Sequence, residues 1–340
     1  MSPTFATESP GVTLAVGEAR VDLSAALGAT VWPYVGPDAD VVRLDALSRP
    51  GVRVSPAVAG VHVARDDGFF GEARAEEGTV HEGGLELGEA RVGYQHPDGW
   101  VGAWVGRSEL PLAYDREVEP EGLGYATRPV LSNAVLPVHA NGAGTSMAWP
   151  DHGSVDVGAS WPALTSDAPV LWTRLHVTPW GALPDDADAA SDAARAMIAV
   201  GAATQRSTSL GTLALASADL AVRWRSLGFD ASGLVARRGA TRTSLLVGFQ
   251  VPLLPGHAPD LLLRTRIERV GALLPDEDSR YVADVRLAAR TRDRRVTTYL
   301  ECVLSREQGA AVAEGEDVVD LGRGIERAND ACGAGLLLRM

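Results

Sequence analysis

Lysine is absent from this chain: all 31 of its basic side chains are arginine. Arginine stays charged and cannot form an imine, so Schiff-base and pyridoxal chemistry are excluded, as are Walker-type P-loops, protein kinases and serine–lysine acylases. Isoleucine (198, 267, 325) and asparagine (133, 141, 329) are nearly absent too. The three residue types share AT-rich codons, so a GC-rich gene accounts for the pattern without any selection against the amine. Two cysteines, Cys302 and Cys332, are too few for a disulfide framework. They read as thiols of a reducing compartment, with a single bridge as the alternative. No apolar run approaches the roughly 18 to 20 residues of a transmembrane helix. Met1 to Pro10 has neither a basic n-region nor a long apolar h-region, so no standard secretory signal is expected there. Together these absences predict a cytoplasmic or particle-associated protein without a membrane span.

What is present is ordinary for a folded protein: 340 residues, 46% hydrophobic, 22% charged, net charge −13. The acidic balance argues against nucleic acid as a partner. Charge is unevenly spread. Residues 1–175 carry 11 Arg against 23 Asp and Glu, whereas residues 176–340 carry 20 against 21.

The first half reads as β. Short apolar stretches (Val12–Val16, Val41–Leu47, Gly51–Val54, Val61–Val63, Gly99–Val105) are broken by Gly, Pro and Asp. In Trp100–Val105, period two puts Trp100 and Trp104 on one strand face. The tetrad Gly-Glu-Ala-Arg occurs at 17–20, 71–74 and 88–91. A reused turn-into-strand unit and chance recurrence are both open.

Residues 183–204 predict a helix, with Pro184 and three aspartates at its start and an apolar stripe through Ala187, Ala190, Ala194, Met197, Ile198 and Gly201. Strands are expected at Leu220–Arg225, Ser244–Leu253, Leu261–Val270, Tyr281–Leu287 and Val296–Leu304. The last two form a hairpin around residues 291–294, with Val296, Thr298, Leu300, Cys302 and Leu304 on one face. A closing helix is expected from Asp317 to Ala331. The expected fold is therefore mainly β with some α (α+β). An antiparallel sandwich or barrel-like acidic part, residues 1–178, precedes an α+β part, residues 179–340, across a soft boundary.

Catalytic motifs fail to appear. There is no G-x-S-x-G, H-E-x-x-H, C-x-x-C or EF-hand loop, and Gly142-Ala143-Gly144 lacks the third glycine of a dinucleotide fingerprint. The densest polar segment runs from His139 to Asp156. It holds His139, Asp151 and His152 as candidates for general-base or metal chemistry, at a spacing that matches no named site. Trp100, Trp104 and Trp149 could stack on a sugar ring if exposed, or fill a core if buried. Arg286, Arg290, Arg292, Arg294 and Arg295 concentrate positive charge on one hairpin suited to an acidic protein surface. The resulting expectation is a non-catalytic assembly protein with no cofactor, making homo- or hetero-oligomeric contacts as in a virion or phage-tail particle. The alternative is a β-rich hydrolase or carbohydrate-binding protein using residues 139–156.

Overall fold

The computed structural model describes residues 12–35, 51–77, 85–112, 139–149, 152–161, 168–183, 191–208, 211–225, 227–238, 240–253, 260–271, 277–291, 295–309, 325–328 and 331–339. All regular structure among them is β. The first nine strands are β1 (Val12–Val16), β2 (Ala19–Val35), β3 (Gly51–Arg65), β4 (Phe69–Glu77), β5 (Leu85–Gln95), β6 (Val101–Ser108), β7 (Ala140–Trp149), β8 (Gly153–Trp161) and β9 (Val170–Val177). The second nine are β10 (Ser191–Ser207), β11 (Gly211–Arg225), β12 (Leu227–Arg238), β13 (Ala240–Pro252), β14 (Asp260–Gly271), β15 (Glu277–Arg290), β16 (Val296–Gly309), β17 (Ile325–Ala328) and β18 (Ala331–Arg339).

From β2 to β16 each strand pairs antiparallel with the next, and β18 closes the ring by pairing with both β16 and β2. The closing position is composite. β17 lies against residues 306–309 of β16, β18 against 296–303, and β1 continues the line beside residues 19–23 of β2. Sixteen strand positions thus form a closed barrel. Closure leaves no sheet edge, and at this size a barrel encloses an aqueous lumen rather than a packed core.

This corrects the expected α+β fold. The predicted helix over 183–204 is largely β10, and the predicted closing helix gives way to β17 and β18. In β10, Met197, Ala199, Gly201 and Ala203 face inward while Ile198, Val200, Ala202 and Thr204 face outward. Both faces are apolar or small, so the period-two signal vanishes and the alanines imitate a helix stripe. The inner face is apolar there because Leu110 and Leu112, at the start of the 109–139 connection, pack inside the barrel. They meet Val170, Trp172, Ala203, Leu215, Leu234, Ala236 and Val270. Gly201 leaves room for them, since a Cβ there would come within 3.2 Å of the Leu112 carbonyl oxygen.

The five strands expected in the second half are present, as is the 291–295 hairpin connection. The sheet is continuous across residue 178, through the pairing of β9 with β10. Val41–Leu47 lies outside the described residues. Two Gly-Glu-Ala-Arg tetrads face each other on β4 and β5. Antiparallel pairing sets Glu72 opposite Arg91 and Arg74 opposite Glu89, and Arg91 donates to Glu72. The motif is complementary to its own reverse, which gives the repeat a physical meaning.

Connections at the two ends differ. One end carries 17–18, 66–68, 96–100, 150–152, 178–190, 226, 253–259 and 291–295. The other carries 36–50, 78–84, 109–139, 162–169, 208–210, 239, 272–276 and 310–324, including the longest of all. The second end holds the longest connections, 36–50, 109–139 and 310–324, beside short ones at 208–210 and 239, and the first end is mostly short turns apart from 178–190 and 253–259.

Candidate functional site: the inner wall of the barrel

The alternation of a water-soluble β-protein is inverted here. Leu23, Leu27, Val92, Val105, Met147, Val157, Leu175, Val200, Leu245, Ile267, Leu300 and Leu338 all point outward and are exposed. A belt of this size far exceeds the apolar patches of soluble monomers. Near the short-turn end the belt turns aromatic. Phe69 lies against Tyr94 at 5.3 Å and Phe229 against Phe249 at 5.2 Å between ring centroids, with Trp149 and Trp224 also outward.

Buried charge faces inward, and among the described residues it all lies on β9 to β18. It comprises seven arginines (174, 223, 264, 266, 286, 290, 339) and four carboxylates (Asp219, Glu268, Asp284, Glu301). The excess makes this wall positive. Register arranges the charges in hoops. One runs Gly228, Gln250, Arg264, Arg286, Glu301 across β12 to β16. Arg264 donates from Nε (2.8 Å) and Nη2 (2.5 Å) to Gln250 Oε1, which fixes its fork beside that of Arg286. The Arg286 guanidinium sits 3.5 Å from the centroid of the Tyr299 ring and 3.8 Å from Glu301. The Tyr299 hydroxyl in turn bonds Thr30 across the lumen seam.

The neighbouring hoop runs Asp230, Gly248, Arg266, Asp284, with Arg266 donating to Asp284 at 3.0 Å. Further along, Arg174 spans β10 to reach Asp219 on β11 at 2.9 Å, and Asp219 also accepts from Ser232. Arg290 lies 3.7 Å from Asp260 at the short-turn rim.

The candidates from the sequence fall in separate places. His139 and His152 flank β7, so they sit about 30 Å apart, at opposite ends of a ten-residue strand. His139 lies 3.9 Å from Glu109, where the long connection leaves and returns. Asp151 lies outside the described residues. Ser154 donates to Asp156 at 2.7 Å and lies 3.3 Å from His176 Nδ1. Because the hydroxyl proton goes to the carboxylate, the imidazole is not placed to withdraw it, and this is no nucleophilic triad.

Trp100 and Trp104 do not share a strand. Trp100 sits in the 96–100 turn, 5.1 Å from His96, whereas Trp104 faces inward and packs on the Leu110 cluster. Trp149 is exposed on the outer face. Arg286 and Arg290 point into the lumen, Arg295 is exposed, and Arg292 and Arg294 lie outside the described residues. The cysteines are bonded, Cys302 to Cys332, directly opposite on β16 and β18. The thiol reading is corrected to the bridge.

Sequence reasoning missed Arg174, Arg223, Arg264, Arg266 and their carboxylates. The signal was available in β14, where Leu261, Leu263, Thr265 and Ile267 alternate with Leu262, Arg264, Arg266 and Glu268. An apolar face backed by a charged one is the pattern of a barrel stave, weak in each strand and visible only when summed around the ring.

The fold is that of the outer-membrane porins. The outer membrane channel DcaP of Acinetobacter baumannii aligns with TM-score 0.63 at 11% identity, over 96% of this chain and 99% of that one. An anion-selective porin from Comamonas acidovorans gives 0.62 at 12%, over 95% and 100%. OprB of Pseudomonas putida gives 0.63 at 9%, over 95% and 94%. No family model and no curated protein matches the sequence. These findings overturn the expected virion or phage-tail assembly role, the hydrolase or carbohydrate-binding alternative, and the cytoplasmic location without a membrane span. Among the described residues no helix is long and apolar enough to cross a membrane, which says nothing of a barrel, whose strands can do so.

Proposed function

We propose that this chain is an outer-membrane channel that passes small hydrophilic solutes and favours anions. The inverted alternation carries the reading, since an apolar belt needs lipid around it and a charged lining needs water within. The excess of inward arginine supports the anion preference. At a few ångströms a unit charge is worth about 1 kcal/mol in water and about 4 kcal/mol in a partly desolvated lumen. The neighbours described as an outer membrane channel and as an anion-selective porin agree with both parts.

The test is reconstitution in a planar bilayer, with unequal potassium chloride on the two sides. Stepwise conductance and a reversal potential on the chloride side are expected. Folded protein that gives no conductance steps refutes the channel, and a cation-side reversal refutes the selectivity.

A further inference from the structure

At the short-turn end the exception in length is the 178–190 connection between β9 and β10. It begins by folding back on the barrel. Thr178 donates its N–H to the His152 carbonyl at 2.8 Å, one step past the last β8–β9 pair. A turn follows in which Gly181 donates to the Thr178 carbonyl at 3.1 Å, with Pro179 at the second position and glycine at the fourth, as such a turn favours. Gly181 takes φ +90°, and a Cβ there would collide with Arg195 Nη1. Glycine therefore lets the Arg195 fork pass close and donate to the Trp180 carbonyl at 2.7 Å. The chain then lays Leu183 on Met197, Ala199 and Ala221. Met197 and Ala199 take the inward parity of β10, and Ala221 lies directly opposite Met197 on β11. Residues 178–183 thus turn over the rim and into the lumen.

The burial of one ion pair points the same way. The Arg174 and Asp219 side chains are 0% and 1% exposed, although both project from the wall of a water-filled barrel. A charge on an open lumen wall keeps its water, so these two are covered. Arg174 stands opposite Gly201, and Asp219 opposite Ala199. Leu112 packs at Gly201 from the long-loop side, and Leu183 packs at Ala199 from the short-turn side. Ala203, in the Leu110 cluster, and Ala199 are four residues apart on β10, about 13 Å. Two inward segments therefore hang on one wall, with the ion pair between them. We propose that residues 178–183 form a second constriction of the lumen at the short-turn end, latched by Arg195, with Leu183 setting the width of solute admitted there. This rests on the channel reading above. Leu183 presents hydrocarbon, so it sorts solutes by girth, while Arg195, inward on β10 opposite Arg223, keeps the passage positive.

The test uses the full chain folded into phosphatidylcholine vesicles and fused to a planar bilayer, with potassium chloride carrying the current. Folding is checked by the heat-dependent shift of the band on SDS gels. Poly(ethylene glycols) of graded size are added to one side at a time: polymer that enters the lumen lowers the unitary conductance, and excluded polymer leaves it alone. Leu183→Ser should raise the unitary conductance and lose the exclusion of mid-sized polymer from one side of the bilayer only. Arg195→Met, which removes the donor to the Trp180 carbonyl, should lose it from the same side. A charged, membrane-impermeant methanethiosulfonate should cut the conductance of the Leu183→Cys variant and leave that of Asp67→Cys, at the exposed β3–β4 turn, unchanged. Folded Leu183→Ser with wild-type conductance and exclusion overturns the constriction and leaves the channel standing. An equal change from both sides places the narrowing elsewhere and overturns it too. Where Leu183→Ser gives no heat-shifted band, the labelled Leu183→Cys variant decides, and undiminished conductance after labelling refutes the proposal. Folded wild type that gives no conductance steps overturns both readings.

Discussion

The barrel has two inner walls of different chemistry. From β2 to β8 the inward positions are rich in glycine and serine, including Gly93, Gly102, Gly142, Gly144, Gly158, Ser108, Ser146 and Ser160. The charges of that wall, such as the Glu72–Arg91 pair, are only half-buried. From β9 to β18 the inward positions carry the buried arginines and carboxylates. Exposed apolar side chains point outward on both walls, so the outer belt does not explain the difference. Packing does. On the first wall aromatic rings lie over glycines directly opposite them: Phe70 over Gly93 and Trp104 over Gly144. At its junction with β9, Trp172 lies over Gly158. A ring over a bare backbone fills space without charge. On the second wall space is filled by long charged side chains that must be paired, because an uncompensated buried charge is costly. Tyr299 over Gly335 is the same ring-on-glycine device within the charged wall.

Breaking one charge pair should therefore cost more than disturbing one ring. Arg174→Leu leaves the Asp219 carboxylate buried without this cation, still accepting from Ser232, and is expected to cost about 3 to 5 kcal/mol. The readout is urea-induced loss of the heat-shifted band in vesicles, and a loss under about 1 kcal/mol would contradict the account. Gly158→Val tests the other wall. Its Cβ would stand 2.4 Å from Trp172 Cζ2 and 2.6 Å from the Ala143 carbonyl oxygen, so an overpacking loss of about 1 to 3 kcal/mol is expected in the same assay. The double variant R264Q/R286Q sharpens the comparison in function. It removes two cations from one hoop, and should move the reversal potential several millivolts toward zero without stopping conductance. Replacing Ser146, on the first wall, by Ala removes no charge and should leave that potential unchanged. The smallest effect is expected at the β3–β4 turn, where Arg65 pairs with Asp67 in the open. Arg65→Ala should alter stability by less than about 1 kcal/mol.

The same division governs what the sequence disclosed. The strands of the second half were readable wherever charge alternated with hydrocarbon, as in Leu261–Val270 and Tyr281–Leu287. They were lost where both faces turned apolar, as in β10, whose inner side meets Leu110 and Leu112. The barrel was not legible from apolar runs, because a long run marks only a helical span, whereas a tilted barrel strand of about ten residues needs apolar character only at every second position. The arginines of the 286–295 hairpin were seen as a positive concentration, but the face they take depends on parity around the whole ring. Arg286 and Arg290 share even parity with the inward hoop, and only closure of the barrel makes that parity mean lumen rather than solvent. Long-range pairs such as Arg174 with Asp219 had no local signature at all.

The composite sixteenth stave has a kinetic consequence. Residues 12–16 and 331–339 occupy one strand position, and the pairing of β18 with β2 that seals the ring joins segments from opposite ends of the chain, as in Arg339 with Ala26. Every other strand pair joins segments that lie far closer together in the chain. The last contact is thus the one of greatest sequence separation, and its loop-closure entropy falls on a single late step. Until then β2 and β18 present raw edges to any neighbour able to pair with them. The Cys302–Cys332 bridge holds β18 to β16 on one side of that seam, leaving a single gap to close rather than two.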